Sequence, residues 1–482
     1  MEPRQALDIR TFRVRGNYSN QHTLRRAKGL RVNHELGLRP RPGYSPPVVE
    51  FVLAGGTRGS IVVSESDIPA LCAGDLEQAK RYLSRLVTGR RGPHDLAASP
   101  PVAAEVRATE LQQPAESRFV VPCTTAEPHS EEDISQKGFI LLKLAQLGYP
   151  VPDFVVLTAD AYMQRAQHFE DHIAEALEKL EALTMQKLGD STNPLVFAIR
   201  CATALYIPGV MDTYLNVGIS ESTLPALEKM YGAVVARKMY LNNLRNLCSF
   251  LECDDCAGLV SAIKSNLPAQ EISRFIDRLS TLIRKTDRRL VENPFDQAAF
   301  LVKQAYKHFE DNQELMLTLC RGTEHYPSII MQKMVCTVRH EDAYAGVLCS
   351  RHTQTGVGVE LQTARNIFGE EMMTGTAEVE STVFEDREAI KDTFPAIYHF
   401  APHLAELEKE FESPVTIEFA VEATDRYQWF ALLQLNETGM AGRAAVMSVV
   451  DLHKSGGITR KRVTELIRPY HIKQLTSDTI DQ

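Results

Sequence analysis

The sequence is poor in the features that mark secreted and membrane proteins. Its 482 residues include one tryptophan and nine cysteines, an odd number without regular spacing. Secreted scaffolds pair their cysteines densely, so this usage predicts free thiols in a reducing compartment. No apolar run approaches the roughly 18 residues that span a bilayer, and the first 15 residues lack the apolar segment of a secretory signal. We therefore expect a cytoplasmic protein that has no membrane partner.

Several common catalytic motifs are also missing. The sequence has no Walker A motif, no GxGxxG after a strand, no HExxH and no GxSxG. It therefore lacks the usual motifs of P-loop nucleotide binding, dinucleotide binding, zinc proteases and serine hydrolases. The pair Cys253 and Cys256, with Cys248 upstream, has the CxxC spacing of a zinc site or a redox disulfide. A structural zinc site needs four ligands, and no second CxxC or HxxxH is placed to complete one. We interpret these cysteines as structural.

The composition is that of a folded globular protein with an uneven charge distribution. Hydrophobic residues make up 44% and charged residues 24%. Residues 1–118 carry 18 Lys and Arg against 12 Asp and Glu, whereas the remainder carries 35 against 50. The basic segment either binds a phosphate-rich or acidic partner or packs on the acidic body of the same chain. No nucleic-acid-binding module accompanies it, so we do not expect nucleic acid as a partner.

Composition shifts divide the chain into four segments. Residues 1–90 predict a small basic α+β unit, with strands at 48–53 and 60–63 and a helix at 75–86. The next stretch is rich in Pro, Ala, Ser and charge and predicts a linker. The main body then divides into two lobes. The predicted ranges are 1–90 for the basic unit, 91–118 for the linker, 119–320 for a first lobe with a helical section, and 321–482 for a second lobe with closing helices.

Hydrophobic periodicity predicts the elements of the main body. Spacing of three to four residues predicts amphipathic helices that begin at 131 and extend over 165–188 and 270–291. Shorter periods with β-branched and aromatic residues predict strands at 154–157, 195–199, 328–338, 415–421 and 427–435. Strands on both sides of a long helical section favour two α+β lobes that face each other across a cleft.

One segment combines the features of an anion-binding site. In residues 193–213 a predicted strand ends at Arg200, small residues follow, and Pro208-Gly precedes Asp212-Thr213. Small residues allow backbone N–H groups to approach an anion, and an arginine at a strand end can bind two phosphate oxygens. We expect the loop at 207–213 to close over such an anion, because Pro-Gly turns beside small residues are typical of mobile lids.

These residues resemble the nucleotide-binding domain of pyruvate phosphate dikinase and phosphoenolpyruvate synthase. In that family a strand ending in Val-Arg-Ser-Gly-Ala leads into Met-Pro-Gly-Met-Met-Asp-Thr, and the spacing from Arg200 to Thr213 matches without a gap. Gln136-Lys137-Gly138 and the Gly-Tyr-Pro-Val-Pro at 148–152 resemble the family's Gly-Gly-Lys-Gly and Gly-Leu-Pro-Val-Pro. The resemblance covers roughly residues 128–470 and implies an ATP-grasp-like, two-lobed body with a helical insertion.

The resemblance also implies site residues. Four further segments are similar to the hinge strand, Gln-Gly-Glu, Asp-Ile-Glu-Phe and Leu-Gln-Thr-Arg of the family, namely those at 331–335, 368–370, 416–419 and 433–436. By this resemblance Lys137 and Arg200 are the catalytic cations, ATP is the bound nucleotide and Mg²⁺ is its metal. The implied nucleotide-binding residues are Lys137, Arg200, Gln332, Met334, Glu370 and Gln434, and the implied metal ligands are Glu418 and Gln434, with Glu370 as a second candidate.

Three positions depart from the family pattern. Thr416 stands where the family has a metal-binding Asp, Asn436 where it has an Arg, and Ser135-Gln136 where it has Gly-Gly. A threonine hydroxyl brings no negative charge to Mg²⁺, and an asparagine cannot neutralise an oxyanion. We therefore predict that catalysis is weakened more than binding.

The family's phosphohistidine and pyruvate domains have no counterpart in the sequence. No Gly-Gly-x-Thr-Ser-His segment is present, and the chain stops 12 residues beyond Tyr470. Our first interpretation is an ATP-dependent phosphotransferase of the dikinase type that acts on an unknown acceptor molecule or partner protein. The alternative is a pseudo-enzyme that binds nucleotide and regulates or scaffolds a partner. A third interpretation is that the cleft between the lobes is closed or empty and that the fold serves only for protein interaction.

Overall fold

A computed structural model describes most of the main body and four short strands before it. The described residues are 9–15, 48–53, 58–62, 107–109, 117–205, 211–251, 254–263, 267–320, 322–338, 340–365, 367, 378–423 and 428–476. They form three antiparallel sheets with helices packed around two of them, so the α+β class is confirmed.

The amino-terminal sheet has four strands in the order β1-β2-β3-β4. Its strands are β1 Ile9–Arg15, β2 Val48–Leu53, β3 Arg58–Val62 and β4 Arg107–Thr109. The predicted strand at 48–53 is confirmed, and β3 begins two residues before its predicted start. β4 lies within the predicted linker, which is therefore not structureless: Arg58 pairs with Thr109 across the two strands. The predicted helix at 75–86 lies outside the described residues.

The first lobe is built on a five-stranded sheet in the order β5-β6-β9-β7-β8. Its strands are β5 Val120–Pro122, β6 Phe154–Leu157, β7 Phe197–Ala202, β8 Thr213–Val217 and β9 Ser328–Lys333. β9 lies between β6 and β7 although the sequence places a lobe boundary at residue 320. After the helical section the chain returns to this sheet as β9, which forms its central strand. Ile329, Ile330 and Met331 of β9 are fully buried.

Helices cover this sheet and form the predicted helical section. They are α1 Glu131–Leu147, α2 Ala159–Met163, α3 Arg165–Thr184, α4 Leu224–Tyr231, α5 Ala233–Cys248, α6 Asp254–Ala262, α7 Ala269–Asp287, α8 Arg289–Glu292, α9 Pro294–Asp311 and α10 Gln313–Leu319. α1 begins where the Ser130 side chain accepts from the Asp133 N–H, and it ends at Gly148, whose φ of 88° suits glycine. The predicted start of this helix at residue 131 is confirmed.

The second lobe contains the other five-stranded sheet, in the order β12-β11-β10-β13-β14. Its strands are β10 Tyr344–Cys349, β11 Val359–Arg365, β12 Glu380–Phe384, β13 Val415–Ala423 and β14 Gln428–Glu437. Helices α11 Pro395–Phe400 and α12 Leu404–Glu410 cover one face. Alternate residues of β13, Ile417, Phe419 and Val421, are buried on that face. Leu144 of the first-lobe helix α1 also packs into this core, whereas Thr416, Glu418 and Ala420 alternate onto the other face of the sheet.

Three carboxyl-terminal helices complete the second lobe: α13 Gly442–Lys454, α14 Arg460–Leu466 and α15 Pro469–Thr476. Arg351 binds the buried carboxylate of Glu408 at 2.8 Å and Asp451 of α13 at 2.6 Å, which fastens α13 to the sheet. None of the helices in the described ranges is long and apolar enough to cross a membrane.

Candidate functional site

Arg200 connects the two lobes. It lies on β7, paired with Thr213 of β8 and Ile330 of β9, two residues before the strand ends. Its Nη1 donates to the backbone oxygen of Leu433 on β14 at 3.0 Å. Its Nε is buried and has no hydrogen-bond partner within the described part of the chain. Because a buried guanidinium donor normally has an acceptor, this atom is a candidate contact for an anion.

Lys137 reaches the same place from an irregular turn of α1. Ser135 has φ 62° and ψ 162°, a conformation found almost only at glycine, and it interrupts the helix. The next residue, Gln136, donates its N–H to the Thr203 oxygen at 3.3 Å, which holds the turn beside the end of β7. The Gly-Gly of the family that the sequence resembles suits this backbone. Here Ser135 adopts the positive φ, at a cost in conformational free energy.

Two cations and one carboxylate interact in the buried space between the lobes. Burial and, to a smaller extent, the neighbouring Arg200 lower the pKa of Lys137 to about 8, although Glu418 of β13 opposes both effects. Burial also lowers the pKa of Arg200, again opposed by Glu418. The neighbouring Cys201 thiol has a raised pKa because it is buried, so it stays protonated. The structure therefore brings Lys137, Arg200 and Glu418 together, as the sequence predicts.

Glu418 faces Gln434 across two paired strands. The register joins Glu418 to Gln434 and Thr416 to Asn436, so all four side chains lie on the face of the sheet toward the first lobe. Gln434 donates through Nε2 to the Asn436 oxygen at 3.1 Å, which leaves its own amide oxygen as an acceptor. A carboxylate and an amide oxygen are hard ligands of the kind that Mg²⁺ takes.

Two of the departing positions are hydrogen-bonded to neighbours. Thr416 donates to the Thr438 hydroxyl at 3.0 Å and lies 3.5 Å from the Cys349 sulfur. Asn436 accepts from Gln434. In the described residues no three His, Cys, Asp or Glu side chains are grouped as metal ligands. At the level of Thr416 and Asn436, Glu418 is the neighbouring acidic side chain on this face, and Glu422 lies four residues further along β13.

Gln332 lies in the first lobe, and its predicted grouping with the second-lobe residues is wrong. It pairs with Ala198 on the neighbouring strand and shares the sheet face of Arg200. Its side chain is 2% exposed, and its Nε2 has no partner among the residues described. The next candidate, Met334, donates its backbone N–H to Val196 at 3.0 Å and packs against the first-lobe core. The Met334 N–H therefore already has an acceptor within the protein.

Some predicted residues lie outside the described part of the chain. These are Glu370, residues 207–210 of the predicted lid, and Cys253 of the CxxC pair. Cys256 is a buried cysteine in the first-lobe core.

The same cleft face also carries an apolar cluster that was not among the predicted site residues. Val335, Ala420 and Ala431 are buried together, and Trp429 and Leu433 pack against them. Alternation along β13 was the available signal, because Thr416, Glu418 and Ala420 must share a face if Ile417 and Phe419 are in the core. The partner positions on β14 were not accessible from the sequence, since an irregularity beside Leu433 shifts their register.

Comparison with known proteins supports the resemblance. The chain is 23% identical over 375 residues to pyruvate, phosphate dikinase of Rickettsia prowazekii, which covers 72% of this chain and 42% of that protein. It is 23% identical over 373 residues to that of Clostridium symbiosum, at 72% and 41%, and 22% identical over 474 residues to the chloroplastic protein of Mesembryanthemum crystallinum, at 88% and 48%. No family model matches the chain.

The predicted resemblance to pyruvate phosphate dikinase is therefore confirmed for a segment of this chain. The chain spans less than half the length of these relatives.

Proposed function

We propose that this chain is an ATP-grasp-like protein that binds ATP between its two lobes. The observation that supports this most strongly is the buried group of Lys137, Arg200 and Glu418, in which Arg200 Nε has no partner in the described structure. Two cations beside a single carboxylate leave positive charge for phosphate oxygens. A bound triphosphate would supply the missing acceptors.

The proposed nucleotide has its base toward the hinge and its phosphates toward the cations. Gln332 lies two residues along the sheet face from the level of Arg200, and Met334 follows on the way to the second lobe. Glu370, outside the described residues, remains a predicted contact to the ribose and phosphates. In this arrangement Lys137 and Arg200 orient the phosphates and neutralise their charge.

Mg²⁺ fits the donors that the second lobe offers at the phosphate end. Glu418 and Gln434 would hold it, because they face each other in the register and Gln434 keeps an oxygen free of its bond to Asn436. The metal would neutralise phosphate oxygens when bound.

We further propose phosphoryl transfer of the dikinase type as the activity. Catalysis of this kind depends on positioning and charge neutralisation, which Lys137 and Arg200 can supply. The similarity to dikinases supports this reaction class. The acceptor would be a separate molecule or a partner protein, and the proposed location is the cytoplasm.

A second candidate is nucleotide binding without catalysis. The hydrogen bonds of Thr416 to Thr438 and of Gln434 to Asn436 favour it, because these side chains satisfy each other where the family has a carboxylate and an arginine. Such a protein would respond to the nucleotide by changing its contacts with a partner.

Incubation of the full chain with Mg-ATP, followed by product analysis, tests both candidates. AMP would support dikinase chemistry and ADP an ordinary kinase, whereas nucleotide binding without turnover would support the second candidate. Lys137→Met is the control for contaminating ATPases, since it removes the cation and keeps the length of the side chain. If calorimetry with the wild-type chain detects no binding of ATP, the proposed function is wrong.

A further inference from the structure

The face of the second sheet that meets the first lobe has two chemically different ends. One end carries the polar group Thr416, Glu418, Gln434 and Asn436. At the other end Ala420 pairs with Ala431, and both are buried against Val335 of the hinge. Leu433 lies between the ends, because its backbone oxygen binds Arg200 and its side chain packs with the apolar cluster.

Trp429 borders the apolar end and has an unused donor. Its indole Nε1 is buried and finds no hydrogen-bond partner in the described ranges. An indole N–H can only donate, and buried donors of this kind normally meet an acceptor. The Nε2 donor of Gln332, on the first-lobe sheet, is likewise buried and has no hydrogen-bond partner in the described residues. The two sides of the cleft thus offer unpartnered donors beside an apolar wall, and the carboxylate of Glu422, which pairs with Trp429 across the strands, lies beyond that wall.

We propose that Trp429 is the base-selecting residue of the nucleotide site. This inference rests on the proposed function. The base lies against Ala420, Ala431 and Val335, whose small side chains suit a flat ring, and Trp429 Nε1 donates to a ring nitrogen of a purine. Five residues of strand separate Trp429 from Gln434, or roughly 17 Å, which suits an extended nucleoside triphosphate whose phosphates reach Arg200.

The test compares two ligands in the full chain with Mg²⁺: a non-hydrolysable ATP analogue and inorganic tripolyphosphate, which has no base. Trp429→Phe keeps an aromatic ring and removes the N–H. We expect it to bind the analogue about three- to tenfold more weakly and tripolyphosphate as the wild type does. Tyr398→Phe is the matched control, because it removes an aromatic O–H that binds Glu388 and it lies in the same lobe.

The lone tryptophan gives a second readout. In the wild type, its fluorescence should change with the analogue and remain unchanged with tripolyphosphate. Equal affinity of wild type and Trp429→Phe for the analogue would overturn the role of Trp429 and leave the proposed function standing. A matching loss for both ligands would also overturn it, since the effect would then not concern the base. Absence of binding of either ligand to the wild type would overturn the proposed function itself.

Discussion

The two sides of the cleft differ in how completely their polar groups are satisfied. On the first-lobe side, Arg200 Nε and Gln332 Nε2 are buried donors without partners in the described residues. On the second-lobe side, Thr416 bonds to Thr438 and Gln434 to Asn436. At the phosphate end the first lobe therefore has a buried donor without a partner in the described residues, whereas the second-lobe polar groups bond to one another; the unpartnered Trp429 Nε1 lies at the other end of the second sheet.

This difference separates binding from catalysis. Unsatisfied buried donors favour a ligand because binding removes the cost of leaving them unpaired. Transition-state stabilisation needs charge at the phosphate end, and there the second lobe has Glu418 beside neutral Thr416 and Asn436. At the phosphate end of the cleft, we therefore expect changes in the first lobe to alter nucleotide affinity and changes in the second lobe to alter turnover.

The largest effect is expected from Arg200→Ala. Loss of a charged donor to phosphate should weaken binding of a non-hydrolysable ATP analogue by about tenfold to a hundredfold in calorimetry. Arg165→Ala is the matched control, because Arg165 is bound to Glu310 on the surface of the same lobe. If both variants bind the analogue as the wild type does, Arg200 serves only to hold Leu433 and the lobes together.

Thr416→Asp tests the second-lobe side. An added carboxylate beside Glu418 should help to hold Mg²⁺ and raise turnover by roughly tenfold to a hundredfold while affinity is kept. Thr416→Asn, which has a similar shape without the charge, separates charge from the loss of the Thr438 bond. ATP consumption and calorimetry are measured together. A fall in both quantities would mean that Thr416 is an adaptation, because the new carboxylate would then repel the phosphates.

The pKa of Lys137 predicts a pH dependence of binding. Since this pKa is about 8, Lys137 is charged below that pH and loses its proton above it, and a bound phosphate favours the charged form. Affinity for the ATP analogue should therefore fall as pH rises through about 8, by up to about tenfold per unit, and then level off. Titrations of Lys137→Met at the same pH values should lack this step. An identical pH profile in the variant would assign the step to another group.

The smallest effect is expected from Ser135→Gly. Glycine adopts the φ of Ser135 freely, so the change should raise the free energy of unfolding by about 1 kcal/mol. Ser261→Gly, at an exposed position of α6, is the control and should lower stability by a similar amount. Denaturant unfolding compares them. Destabilisation by Ser135→Gly would show that the bond from the Gly138 N–H to the Ser135 hydroxyl, 3.3 Å long, outweighs the backbone strain.

Local patterns predicted many of the elements. The strand Phe154–Leu157 was predicted with both of its ends, and α3 was predicted from its first residue, because each has a period that its own residues determine. The strands β8, β10, β11 and β12 were not predicted. Their side chains follow the environment of the sheet, so their assignment depends on neighbours distant in the sequence.

The sequence by itself determined the α+β class and the resemblance of a segment to dikinases, because these depend on composition, spacing and residue type, and the resemblance then pointed to Lys137, Arg200 and Glu418. Tertiary structure decided which groups share the cleft. β9 entered the first sheet across the whole helical section and took Gln332 with it, and the register of β13 with β14 placed Trp429 beside Ala420 and Ala431. Strand order and register are set by pairing between distant segments and by burial of one face, which no local pattern contains.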